Sequence, residues 1–181
     1  MLERCVTRRR FLSGASAAAA WLSLPAPLFA GDPVEKPYLG KYAHAGGERE
    51  REARDKAIEG VVREMNALIR GIARSKLREA NPIPAAVSIA SDGKSLSITH
   101  DKLVFTAPIH GGSAKVKGVT GDTLDLVHVV TATQLEQRFG NKAQGRINTY
   151  TKSAELLVLD VRIYADRLPK DLSYRLTYKK A

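Results

Sequence analysis

From Ala85 to Lys180 apolar residues recur at every second position, in short runs parted by turn residues. Val87 and Ile89 alternate with small or polar neighbours. Leu96 and Ile98 do the same after Ser91-Asp92-Gly93-Lys94, whose composition is that of a hairpin turn. Leu103 and Phe105, then Val116, then Leu124, Leu126, His128 and Val130 continue the pattern. Leu135, Gln137 and Phe139 form the next run, followed by Ile147 and Thr149. Leu157, Leu159, Val161 and Ile163 precede a last run of Leu172, Tyr174, Leu176 and Tyr178. Alternate side chains of a strand point to opposite faces, so the spacing predicts eight or nine short strands in an antiparallel meander. A sheet this long left open would expose unpaired edges, which predicts a barrel or half-barrel.

One other period is present. Ile58, Val61, Val62, Met65, Leu68, Ile69 and Ile72 are spaced by three and four, on one stripe of a helix. Arg54, Glu59, Arg63, Arg70 and Arg74 take the opposite face. Glu50 with Arg54, Glu52 with Lys56 and Glu59 with Arg63 run in the favourable order. This reads as a single amphipathic helix over residues 48–80, stopped by Asn81-Pro82-Ile83-Pro84. Its stripe lacks aromatic residues and needs an apolar partner, which the barrel supplies. The fold class is therefore mainly β (α+β): one long N-terminal helix, then a meander over 85–180. Residues 31–45, with Pro33, Pro37 and Gly40, read as an irregular lead to a single domain at 46–181.

The first thirty residues are an address. Thr7-Arg8-Arg9-Arg10-Phe11-Leu12 resembles the twin-arginine export motif, with Arg8, Arg9, Phe11 and Leu12 in its key places and Ser13 where a lysine is usual. A weakly apolar stretch rich in Ala, Ser and Gly follows to Ala30, the layout of a cleaved export signal. Cleavage after Leu28-Phe29-Ala30 would start the mature chain at Gly31. The expected location is the periplasm or the exterior, with the twin-arginine translocase and signal peptidase as partners in transit. The single cysteine, Cys5, would leave with the signal, and with it any disulfide or thiolate chemistry.

The helix ending near Asn81-Pro82-Ile83-Pro84, the Asp92-Gly93-Lys94-Ser95-Leu96 turn, and the closing Leu168-Pro169 with Tyr174-Arg175-Leu176-Thr177-Tyr178 resemble a group of small exported bacterial proteins. These are uncharacterised and described as lipocalin-like. The resemblance covers about residues 46–180 and implies a barrel. It carries no catalytic residues across.

Motifs for chemistry are sparse. The four histidines, His44, His100, His110 and His128, show no metal-pair spacing, and no metal or cofactor is implied. His110-Gly111-Gly112 has the glycines of an esterase oxyanion loop, but the mature chain has no Gly-x-Ser-x-Gly turn to go with it. Asp160 sits between Leu159 and Val161 of the inward face, so it is expected to point outward. Net charge is +10 overall and +7 over 31–181, mixed in sign and without the basic–aromatic interleaving of a nucleic-acid surface.

Polar residues on apolar strand faces carry the functional reading: His128, Gln137, Tyr174 and Tyr178. A largely apolar cavity with a few orienting polar groups is the usual design of a small-ligand pocket. Ordinary hydrogen-bonded core residues would give the same pattern. Three functions stay open. One is an exported envelope protein holding a lipid-like or other apolar small ligand. Another is an interaction protein contacting anionic lipid or cell wall through its basic surface. The third is an enzyme with acid–base residues in the barrel mouth.

Overall fold

The computed structural model describes residues 33–140 and 144–181. The export motif at Arg8, Arg9, Phe11 and Leu12 lies outside them. Ten strands form one sheet: β1 Gly40–His44, β2 Ala86–Ser91, β3 Ser95–His100, β4 Leu103–Pro108, β5 Ala114–Lys117, β6 Thr123–Val130, β7 Leu135–Gly140, β8 Gln144–Ser153, β9 Leu156–Ala165 and β10 Leu172–Lys180. Their order is β4-β3-β2-β1-β10-β9-β8-β7-β6-β5, every neighbour antiparallel. The count is ten, not the eight or nine expected. The added first strand is β1, which lies in the stretch taken for an irregular lead. Its five residues carry one buried apolar side chain, Tyr42, too little alternation to mark a strand. Yet β1 pairs with both β2 and β10 and so joins the first and last parts of the sheet. The two sheet ends meet where β4 lies against β5 and β6, linked by a single bridge between His110 and Val129. The barrel is nearly closed, and this seam is its open side.

The helical stretch is two helices, α1 Gly47–Val62 and α2 Arg70–Ala80, with a short 3-10 turn at Ala67–Ile69 between them. The sequence period runs unbroken through this break, so it could not reveal it. Two side chains explain the break. Asn66 accepts a hydrogen bond from the Leu68 amide at 3.0 Å and caps the turn. Arg70 donates to the carbonyls of Arg63 and Met65 at 2.9 and 3.0 Å, satisfying groups that the interrupted helix leaves free. The stripe then divides. Ile58, Val61 and Val62 are buried against the barrel, but Leu68, Ile69 and Ile72 are 89%, 50% and 63% exposed.

The helical pair is tied down at both ends. Glu50 on α1 accepts from His44 Nε2 of β1 at 3.0 Å and from the Thr177 amide of β10 at 2.8 Å, through one carboxylate oxygen. Arg74 on α2 clasps Glu59 on α1 with two hydrogen bonds. Beneath them the main apolar cluster runs through Tyr42, Leu96, Ile98, Leu157, Leu159 and Leu176. A smaller cluster of Phe105, Ala107, Leu126 and Phe139 sits under the seam. Asp160 points outward, as expected, and Arg175 donates to both its oxygens at 2.7 and 3.0 Å.

Candidate functional site

Cross-strand register states which side chains share the interior. Leu126, Phe139, Arg146, Ile163 and Leu172 are successive partners from β6 to β10. Leu126, Phe139 and Leu172 are buried, so Arg146 enters the barrel among apolar neighbours. The next row is His128, Gln137, Asn148, Val161 and Tyr174. Leu135, Tyr150, Leu159 and Leu176 follow. Strand β8 therefore presents Arg146, Asn148 and Tyr150 inward and Ile147 and Thr149 to the other face. Reading β8 from its apolar Ile147 concealed its interior face.

A cavity of about 380 Å³ opens at the end of the barrel beside α2. Leu77, Ala80 and Asn81 of α2 and its cap form one side. The β5–β6 turn around Val119 and the ends of β7, β8 and β9 form the rim. At that rim Gly140 has a φ of +98°, and a Cβ there would stand 2.3 Å from the Gln144 carbonyl oxygen. Only glycine fits this close approach of the two strands. Phe105, Phe139 and Ile163 give the wall its apolar character; its polar groups include His100, Arg146 and Asn81, with Asp125, itself paired to Lys115, at the β5–β6 side.

Arg146 is held by neutral amides. Its Nε donates to Asn148 Oδ1 at 2.7 Å and its Nη1 to Asn81 Oδ1 at 3.3 Å. No carboxylate among the described residues pairs with it. Asn148 Nδ2 donates to Gln137 Oε1 at 2.9 Å, and Tyr150 Oη lies 3.2 Å from that same oxygen. Tyr150 in turn is 2.6 Å from His100 Nε2. One chain of hydrogen bonds thus joins a cavity guanidinium to a cavity imidazole.

Of the four residues singled out by sequence, His128, Gln137, Tyr174 and Tyr178 are all buried, and none lines this cavity. Gln137 belongs to the chain just described. Tyr178 donates to the Pro84 carbonyl at 3.1 Å and supports the link into β2. His128 and Gln137 are direct cross-strand partners. Both nitrogens of His128, Nε2 of Gln137 and the Tyr174 hydroxyl have no hydrogen-bond partner among the described residues. His44 serves the helix anchor, and His110 lies exposed at the seam. Three of the cavity's polar residues, Arg146, His100 and Asn81, carry its hydrogen-bond chain, and sequence reasoning did not single them out. The available signal was parity: Arg146, Asn148 and Tyr150 alternate as strictly as any apolar run. Among the described residues no three metal-ligating side chains cluster, and no helix is long and apolar enough to cross a membrane.

Burial holds both interior histidines neutral. It lowers the His100 pKa from 6.5 to about 3, with the Arg146 charge adding to the effect. It lowers that of His128 to about 4, and the nearby Ala107 backbone offsets this only in part. Burial likewise raises the Tyr150 and Tyr178 hydroxyls above the usual phenol range.

No protein-family model matches the chain, and no curated protein matches its sequence. Solved structures do match in shape. Apo lipid binding protein 8 of Caenorhabditis elegans superposes with a TM-score of 0.53 at 10% identity, covering 81% of this chain and 96% of that one. Fatty-acid-binding protein 1 of Echinococcus granulosus gives 0.51 at 13% identity, covering 81% and 98%. The Schistosoma mansoni fatty acid binding protein, solved with arachidonic acid, gives 0.51 at 14%, covering 82% and 99%. The likeness is one of fold. This chain has the fatty-acid-binding-protein-like barrel: ten antiparallel strands, nearly closed, with two helices.

The pKa shifts set a pH dependence. Below pH 6.5 the unfolded chain takes up protons that folded His100 and His128 refuse. Stability is therefore complete above 6.5 and falls with pH, by about 1.4 kcal/mol per pH unit for each histidine. The loss runs on to about pH 4 for His128 and about pH 3 for His100. Urea unfolding at pH 7 and pH 5 checks this, because most carboxylates are still ionised at both. The wild type should lose stability across that interval, and His128→Leu should lose roughly half as much. Equal losses in both proteins would show that His128 is not held neutral.

Proposed function

We propose that this protein is a non-enzymatic carrier that takes an amphipathic acid of the lipid class into its barrel. Arg146 carries the reading: an inward guanidinium in a cavity wall, flanked across the sheet by Phe139 and Ile163, with amides as its partners. A charge in such surroundings is costly unless an anion completes it. A carboxylate would take the place of the Asn81 amide and form charge-assisted hydrogen bonds, while its hydrocarbon tail meets Phe105, Phe139 and Leu77. The volume of about 380 Å³ is in the range of small-ligand pockets. The similar folds of lipid- and fatty-acid-binding proteins support the same use of the barrel.

Calorimetric titration with tetradecanoate tests the proposal. The wild type should bind it, and Arg146→Leu should weaken binding by about 10- to 100-fold, the value of a charge-assisted hydrogen bond. Tetradecanol should bind wild type and variant alike. A wild type that binds neither compound would end the carrier reading.

The carrier is proposed to work outside the cytoplasm, on the strength of the Arg8-Arg9-x-Phe11-Leu12 motif. Replacing Arg8 and Arg9 by lysine should retain the full-length chain inside the cell. The unaltered protein should be recovered outside with a mass that begins near Gly31. Equal export of the two would place the signal elsewhere.

A second reading, contact with anionic lipid, is favoured by the tip of the helical pair. Leu68, Ile69 and Ile72 are exposed there, in a stretch that also carries Arg63, Arg70 and Lys76. Apolar side chains bordered by cations are what an anionic bilayer surface attracts. Vesicles containing phosphatidylglycerol should bind the protein at low salt and release it at high salt. Leu68→Ser with Ile72→Ser should abolish binding, and neutral vesicles should not bind. Binding unaffected by both salt and the paired substitution would overturn this contact.

A further inference from the structure

Arg146 also fixes the hydrogen-bonding character of a group at the far end of its chain. A guanidinium has no acceptor and cannot lose its proton in a protein. The atom 2.7 Å from Arg146 Nε must therefore be the oxygen of Asn148, which turns Asn148 Nδ2 toward Gln137. The atom that receives it must be Gln137 Oε1. Tyr150 lies 3.2 Å from that oxygen, and only its hydroxyl hydrogen can make the contact favourable. With its one hydrogen spent there, Tyr150 can only accept from His100, 2.6 Å away. His100 Nε2 thus carries the imidazole proton. Its other nitrogen, Nδ1, is then a bare lone pair. Flipping either amide would set two donors face to face somewhere along the chain. So the tautomer follows from the arginine through the direction of each bond.

His100 lines the same cavity as Arg146, and its Nδ1 has no partner among the described residues. Burial keeps the ring neutral at physiological pH, so the lone pair persists. The cavity therefore presents a fixed cationic donor and a fixed neutral acceptor in an apolar wall of Phe105 and Phe139. A plain fatty acid satisfies only the first. We infer that the ligand carries, besides its acid group, a hydroxyl on the chain that donates to His100 Nδ1: a hydroxylated amphipathic acid. The inference rests on the carrier reading above and narrows it. Arg146 and His100 line one cavity, so a single ligand can meet both.

The experiment compares tetradecanoate with a set of its monohydroxy derivatives on the mature protein. At least one derivative should bind about 3- to 10-fold tighter than the parent, the gain from one neutral hydrogen bond. His100→Phe should erase that preference, so that hydroxy acid and parent bind the variant with equal affinity. Nitrogen-resolved NMR of the wild type gives a measurement that needs no variant. It should find the His100 proton on Nε2, and the Nδ1 signal should move with the preferred hydroxy acid but not with tetradecanoate. If tetradecanoate binds and no derivative improves on it, the hydroxyl site is overturned and the carrier stands. A proton found on Nδ1 overturns it equally. If the wild type binds none of these acids, the carrier reading fails and takes the hydroxyl site with it.

Discussion

A guanidinium inside a barrel can neither lose its charge nor accept a hydrogen bond, and most of the interior's polar order follows from that. Arg146 sits in a row whose other members are apolar. It reaches away from them to Asn148 and Asn81, whose side-chain oxygens receive its hydrogens. Each of these amides then has a donor to place. Asn148 passes its own to Gln137, and Asn81 donates to the Leu77 carbonyl at 2.8 Å. The arginine thus orders the cavity wall in one direction and the end of α2 in the other. Tyr150 and His100 complete the first branch. Asn81, buried and holding the last turn of α2, completes the second.

How much of this the sequence discloses depends on what kind of pattern carries it. Strand period and turn composition disclose the meander, because alternation is local. They do not disclose β1, since five residues with one buried tyrosine contain no alternation to see. It becomes a strand only because β2 and β10 stand ready to pair with it. The helical period spans residues 58–72 without a gap, yet the chain breaks at Arg63–Asn66. Asn66 and Arg70 break it, by bonding to backbone groups that a continuous helix would have used. Period reports faces, and it is blind to a cap in mid-run.

The site was hidden for a related reason. Alternation assigns residues to two faces but does not say which face is inside. In most strands here the apolar set decides. In β8 it misleads, because Ile147 faces out and Arg146, Asn148 and Tyr150 face in. Only register resolves the matter: Phe139 on one side and Ile163 on the other flank Arg146. His128, Gln137 and Tyr174 were visible because they interrupt apolar runs, and they are indeed interior. They lie one row or more below the cavity wall, though, and a polar interruption in sequence measures burial, not access. A strand whose interior face is polar throughout leaves no interruption to notice.

Asn81 then connects the chemistry of the cavity to the helical pair. It accepts from Arg146 through its side chain and from Arg54 of α1 through its backbone carbonyl, at 3.3 and 3.2 Å. It also stops α2 just before Pro82. An anion arriving at Arg146 competes with the weakest of that arginine's bonds, the 3.3 Å contact to Asn81. The amide so displaced belongs to the cap of the helix that walls the cavity. In the proposed carrier, the ligand's anion and the helix cap therefore address the same guanidinium. That helix leads back through the exposed Ile72, Ile69 and Leu68 to the tip of the pair, where the buried half of the apolar stripe ends. The division of one stripe into a half that packs and a half that does not makes sense in such an arrangement. The packed half, pinned by Glu50 to β1 and β10, holds α1 in place, and α2 is held to it through Arg74 and Glu59.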